Sequence, residues 1–114
     1  MQEIEITKEA ASLLHSLHKS YKKRIRKGML RQEAALFGDP SDILKEISSD
    51  RSLGDIEDAC WELYDAELIH GTPGDDKLLC ISLTKLGIIH AQAKAAGAIK
   101  SAWAFIKDLL PFIS

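Results

Sequence analysis

Cysteine, proline and glycine are scarce: two, three and seven of 114 residues. Cys60 and Cys80 stand apart, with no CxxC pair and no Cys/His cluster, so neither a zinc site nor a disulfide framework is signalled. Low Gly and Pro, with nearly half the residues hydrophobic, exclude a low-complexity or globally disordered chain. No apolar run approaches the length of a bilayer-spanning helix, and the start, Met1 to Glu9, is acidic without an apolar h-region. A soluble cytoplasmic protein with no membrane partner is expected. No clustered nucleophile, general base or glycine-rich phosphate loop occurs, so no catalytic residue, cofactor, metal or small-molecule ligand is indicated. The length suits a single domain with one core.

Basic residues are missing from one long stretch. From Ser52 to Asp76 there is no Lys or Arg, yet there are eight acids: Asp55, Glu57, Asp58, Glu62, Asp65, Glu67, Asp75 and Asp76. Between Lys8 and Arg31 the balance reverses. Eight basic residues (Lys8, Lys19, Lys22, Lys23, Arg24, Arg26, Lys27, Arg31) face the single acid Glu9. The net charge of -2 therefore conceals two surfaces of opposite sign, suited to different partners or to each other.

Helical periodicity dominates. Thr7 is placed to cap a helix in which Ala10, Leu14, Leu17, Tyr21 and Ile25 recur, and Gly28 follows its basic last turn as a stop. Residues 30 to 37 read as a short second helix carrying Leu30, Ala34 and Phe37, closed by Gly38. Asp39-Pro40 restarts the chain into a third, with Ile43, Leu44 and Ile47 inward. Ser52 with Asp55 resembles a capping box and opens a longer helix with Ile56, Ala59, Cys60, Leu63 and Ala66 inward. The period then shortens to about 2. Leu68 to His70 leads into a turn tipped by Pro73-Gly74-Asp75-Asp76, and Lys77 to Leu83 alternates with Leu79, Ile81 and Leu83 on one face. Thr84 can cap a helix from 85 to about 96. After Gly97 an amphipathic tail carries Ile99, Trp103, Ile106 and Leu110 on one stripe. The fold class expected is mainly α with a small β-hairpin.

The order helix, helix, hairpin, helix, with Ala66-Glu67-Leu68-Ile69 closing the long helix and Ile81-Ser82-Leu83-Thr84-Lys85-Leu86-Gly87 closing the hairpin, resembles winged helix-turn-helix proteins. In them this point commonly reads leucine-threonine-x-x-glycine. The resemblance covers roughly residues 40 to 92. It implies N-terminal helices over 1–38, a winged-helix core over 39–92 and an appended helix over 93–114. Gly28-Met29, Glu33-Ala34, Phe37-Gly38 and Phe105-Ile106 to Pro111 also make the chain similar to small uncharacterised proteins of Gram-positive phages and integrative elements, which implies no activity.

In winged-helix DNA binders the helix before the hairpin generally enters the major groove. Here its outward residues are Asp55, Glu57, Asp58, Trp61, Glu62 and Asp65, and carboxylates meet like charge from both strands. A regulator of this shape would instead hold DNA through the basic first helix and the wing, using Lys19, Lys22, Lys23, Arg26, Lys27 and Lys77. The alternative is a protein-interaction module of the same fold that leaves DNA alone and uses Asp58, Trp61, Glu62 and Asp65, because an aromatic on a polar face often anchors a partner. Trp61 could equally pack against the first helix or the tail.

His15 and His18 lie three apart but lack further ligands at metal spacing, and they read as surface histidines. Cys60 reads as core and Cys80 as exposed. The tail stripe could cover the domain's own core, pair with a second copy through Ile99, Trp103, Ile106 and Leu110, or lie on a membrane. With Lys100 and Lys107 as its cations, core packing or a homodimer is the expectation.

Overall fold

The computed structural model describes residues 5–47 and 50–97. The dimerisation residues expected on the tail, Ile99, Trp103, Ile106 and Leu110, lie outside the described residues. Helix α1 (Lys8–Arg26) starts where the Thr7 hydroxyl accepts the Ala10 N–H at 3.2 Å. It stops as expected at Gly28, whose φ is +98°. That left-handed turn lets the Gly28 N–H reach the Ile25 carbonyl at 2.9 Å and the Met29 N–H reach the Arg24 carbonyl at 3.0 Å, a closure that a Cβ would strain. The buried side of α1 carries Ala10, Leu13, Leu14, Leu17, His18 and Tyr21. Expecting His18 at the surface is thus incorrect. It stands four residues after Leu14 and three before Tyr21, within the inward stripe, and is 3% exposed.

The second helix is shorter than its periodicity suggests. Helix α2 (Arg31–Ala34) is a single turn, and Leu36–Gly38 form strand β1. Leu30 faces solvent and Phe37 is buried from the strand, not from a helix. Arg24 accounts for the break. Its Nη1 donates to the carbonyls of Ala34 at 3.1 Å and Leu36 at 2.6 Å, and its guanidinium lies 4.4 Å from the centre of the Phe37 ring. Those carbonyls are turned toward α1, and the Ala35 carbonyl accepts from the Leu83 N–H.

Helix α3 (Pro40–Ile47) buries Pro40 and Ile43, while Leu44 and Ile47 are half-buried against the same core. Its start is capped in reverse: the Asp42 carboxylate accepts the Asp39 N–H at 3.1 Å, freeing the Asp39 carboxylate to accept the Cys80 N–H at 3.4 Å. Helix α4 (Leu53–Asp65) begins at Ser52, whose hydroxyl accepts the Asp55 N–H at 3.1 Å, and buries Ile56, Ala59, Cys60 and Leu63.

Strands β2 (Ile69–Pro73) and β3 (Leu78–Leu83) make the expected hairpin, but the sheet has three antiparallel strands in the order β1-β3-β2. The extra strand was hidden because three residues carry no readable alternation. The inward face of β3 also differs from the expected one. Leu78 rather than Leu79 is buried beside Ile81 and Leu83. Cys80 sits at φ +51° where the pairing shifts, a bulge that inserts one residue and reverses the faces on its N-terminal side. Helix α5 (Lys85–Gly97) is capped by Thr84 and packs against α1. No helix among the described residues is long and apolar enough to cross a membrane.

Candidate nucleic-acid interface

Four of the expected cations, Lys19, Lys22, Lys23 and Arg26, are spaced i, i+3, i+4 and i+7 along α1, so they share one stripe of the helix. All four are exposed, as is Lys27 at the C-cap. Among the described residues none of the five forms a salt bridge. Arg24 belongs to the same basic run but points elsewhere. It is seven residues after Leu17 and three after Tyr21, on the edge of the buried stripe, and it pairs with Glu46 besides holding the α2–β1 turn. That spacing was the available sign that Arg24 serves the fold and the other cations do not.

Hollows flank the ridge on both sides. Toward α3, Lys19 and Lys23 border a hollow that also contains Glu46 and Ile47. Toward α5, Lys22 and Arg26 stand over a cavity of about 420 Å³ that reaches His18. Burial, the nearby Lys22 and His15 together hold the His18 imidazole below its ordinary pKa of 6.5.

The acidic helix lies at the other end of α1. Glu62 accepts hydrogen bonds from the Thr7 N–H and, at 2.9 Å, from its hydroxyl. Arg51, just before α4, donates to the Glu9 carbonyl at 3.0 Å and the Ser12 hydroxyl at 2.9 Å. Both ends of α4 thus contact the first turns of α1, so the acidic helix lies against the N-terminal part of α1. Lys22 is 15 residues beyond Thr7, about 22 Å along the axis at about 1.5 Å per residue. The cationic ridge and the acidic face are thereby kept apart.

Lys77 does not join the ridge. It sits on the hairpin, which packs on α4, and borders a hollow with Glu57, Asp75 and Asp76. Trp61 is half-buried against the core, edge-on to Tyr64 at 5.8 Å, and its indole N–H donates to the Asp76 carbonyl at 3.4 Å. It ties α4 to the hairpin tip. Asp58 and Asp65 are exposed on α4, while Glu62 is partly covered by its bonds to Thr7. Comparison with known protein families, curated proteins and solved structures finds no match for this chain.

Proposed function

We propose that the protein is a winged-helix module that holds duplex DNA with the ridge of α1 rather than with the helix before its hairpin. The order α1, β1, α3, α4, β2, β3, with β1 beside β3, supports the fold half of this reading: α3 and α4 stand as the helix-turn-helix and the hairpin as the wing. One observation carries the binding half. Lys19, Lys22, Lys23 and Arg26 project from one stripe of a packed helix without ion-pair partners among the described residues. They span about 10 Å of helix axis, a compact donor set for consecutive phosphates. Repulsion between phosphate and the α4 carboxylates is avoided because those groups lie toward the opposite end of α1. Protein docking through α4 has less support, since the Trp61 N–H is already taken by Asp76.

Contacts of this kind position a protein on DNA without reading bases. Binding of a labelled duplex at graded salt should give a slope near -3.6 in log K against log salt, at about -0.9 per phosphate for four contacts. Replacing Lys22, Lys23 and Arg26 together by Ala should flatten the slope to near -0.9 and weaken every sequence alike. Lys77→Ala should change the slope less than any single ridge substitution. Unchanged affinity in the triple variant, or no binding by the parent at low salt, overturns the reading.

A further inference from the structure

The cavity between α1 and α5 has a built interior as well as a charged mouth. On its floor His18 is 3% exposed, and its Nε2 is buried with no hydrogen-bond partner among the described residues. The His18 and Tyr21 rings, stacked with centroids 6.2 Å apart and planes within 23° of parallel, both line it. Ile25 and Ile88 supply apolar wall, and Lys22, Arg26 and Arg31 bring three cations to the lining, with no carboxylate beside them among the described residues. A buried ring nitrogen without a partner is costly, because it has given up water and gained nothing. A volume of about 420 Å³ is within the range of small-ligand sites.

We infer that this cavity binds a small organic anion, a carboxylate or phosphate on a planar apolar body, and that the anion competes with DNA for Lys22 and Arg26. The body packs against the His18 and Tyr21 rings and the two isoleucines. Its charged head faces Arg26, Arg31 and Lys22, while His18 Nε2 takes up a polar atom of the ligand. Charge complementarity selects against cations, and the apolar walls select against a bare inorganic ion. The sequence carried no sign of this site, since its residues come from α1, the start of α2 and α5 and meet only after folding. The competition rests on the DNA reading above; the site itself does not.

The test uses the full chain with the His18 imidazole followed by NMR at constant ionic strength, titrated with benzoate, phenyl phosphate, inorganic phosphate and neutral benzyl alcohol. Saturable His18 shifts are expected with benzoate or phenyl phosphate, and whichever binds more tightly identifies the head group. Binding should weaken about tenfold or more in Arg26→Gln and in His18→Phe followed at Tyr21, the loss of one charge-assisted hydrogen bond. No saturable shift with either organic anion, equal affinity for inorganic phosphate or benzyl alcohol, or unchanged affinity in both variants overturns the site. The better anion should then release a labelled duplex with an inhibition constant equal to its NMR affinity. Anion binding without release refutes the competition and leaves the site standing. Failure of the parent to bind duplex at all refutes the DNA reading instead.

Discussion

A Cβ added to Gly87 would lie 2.0 Å from the carbonyl oxygen of Leu68. The first turn of α5 therefore rests backbone to backbone on the chain leaving α4. Thr84 locks the same junction: its hydroxyl donates to the Glu67 carbonyl and accepts from the Gly87 N–H, both at 2.9 Å, and its own N–H reaches the Leu68 carbonyl at 3.3 Å. The leucine-threonine-x-x-glycine pattern is thus a joint between helix, hairpin and helix. Gly87→Ala should lose about 1–3 kcal/mol despite the better helix propensity of alanine, because backbone must move to admit the methyl group. Gly54→Ala is the control. Its nearest neighbour would be the Ser52 hydroxyl oxygen at 3.9 Å, so it should be neutral or gain up to about 1 kcal/mol. Urea melts of the two variants check this, and equal midpoints would refute the close-approach argument.

Arg24 should be the least replaceable cation of the basic run. It satisfies the carbonyls of Ala34 and Leu36, pairs with Glu46 and covers the Phe37 ring. Arg24→Met should cost about 2–3 kcal/mol, since two carbonyls lose a charged donor. Arg24→Lys should recover little of it, because an ammonium cannot reproduce the planar fork. Thermal melts beside Lys23→Met, which should change stability by less than about 0.5 kcal/mol, separate the fold-bearing cation from the exposed one.

What could be read from the chain was local. Thr7, Ser52 and Thr84 cap helices where their side chains reach the next turn, and Gly28 ends α1, because each depends on a few adjacent residues. The hairpin was readable from its turn residues. Strand β1 was not, since Leu36 to Gly38 become a strand through Arg24 and through β3, more than 40 residues away. The exchange of Leu79 for Leu78 has a similar origin in one bulged residue, Cys80. At the candidate site, the common stripe of the four cations on α1 was legible from helical spacing, whereas the isolation of Lys77 among acids and the seat of Trp61 on the hairpin tip depended on tertiary placement.

Glu67 occupies a position better suited to glycine. It follows the C-cap of α4 at φ +63°, where its N–H bonds the Tyr64 carbonyl and the Leu68 N–H bonds the Leu63 carbonyl, both at 2.9 Å. That closure is the one Gly28 makes for α1, but here the left-handed residue carries a Cβ, at a cost of about 1–2 kcal/mol. Its side chain is exposed, and the carbonyl that holds Thr84 survives substitution. Glu67→Gly should therefore raise stability by about 1 kcal/mol. A lowered melting temperature would show that the side chain contributes more than the strain it imposes.

The two thiols should differ sharply in reactivity. Cys60 is fully buried in α4, and burial first, then the nearby Glu57, pushes its pKa from 9.0 up to about 12. Cys80 is exposed on the bulge of β3. Because the thiolate is the reacting form, a water-soluble thiol reagent at neutral pH should label one cysteine in the native protein, Cys80, and two after denaturation. Prompt labelling of both would place Cys60 outside the core. The raised pKa also fixes the sign of an alkaline effect. Above pH 9 the unfolded chain releases the Cys60 proton while the folded chain keeps it, so the stabilising contribution is full below about 9 and is lost as pH rises toward 12. The loss should approach about 1.4 kcal/mol per pH unit within that window. Cys60→Ala removes the group, so its unfolding free energy should fall less steeply with alkaline pH than the parent's, whatever the cavity costs at neutral pH. Parallel slopes for parent and variant would show that Cys60 ionises as readily in the folded chain as in the unfolded one.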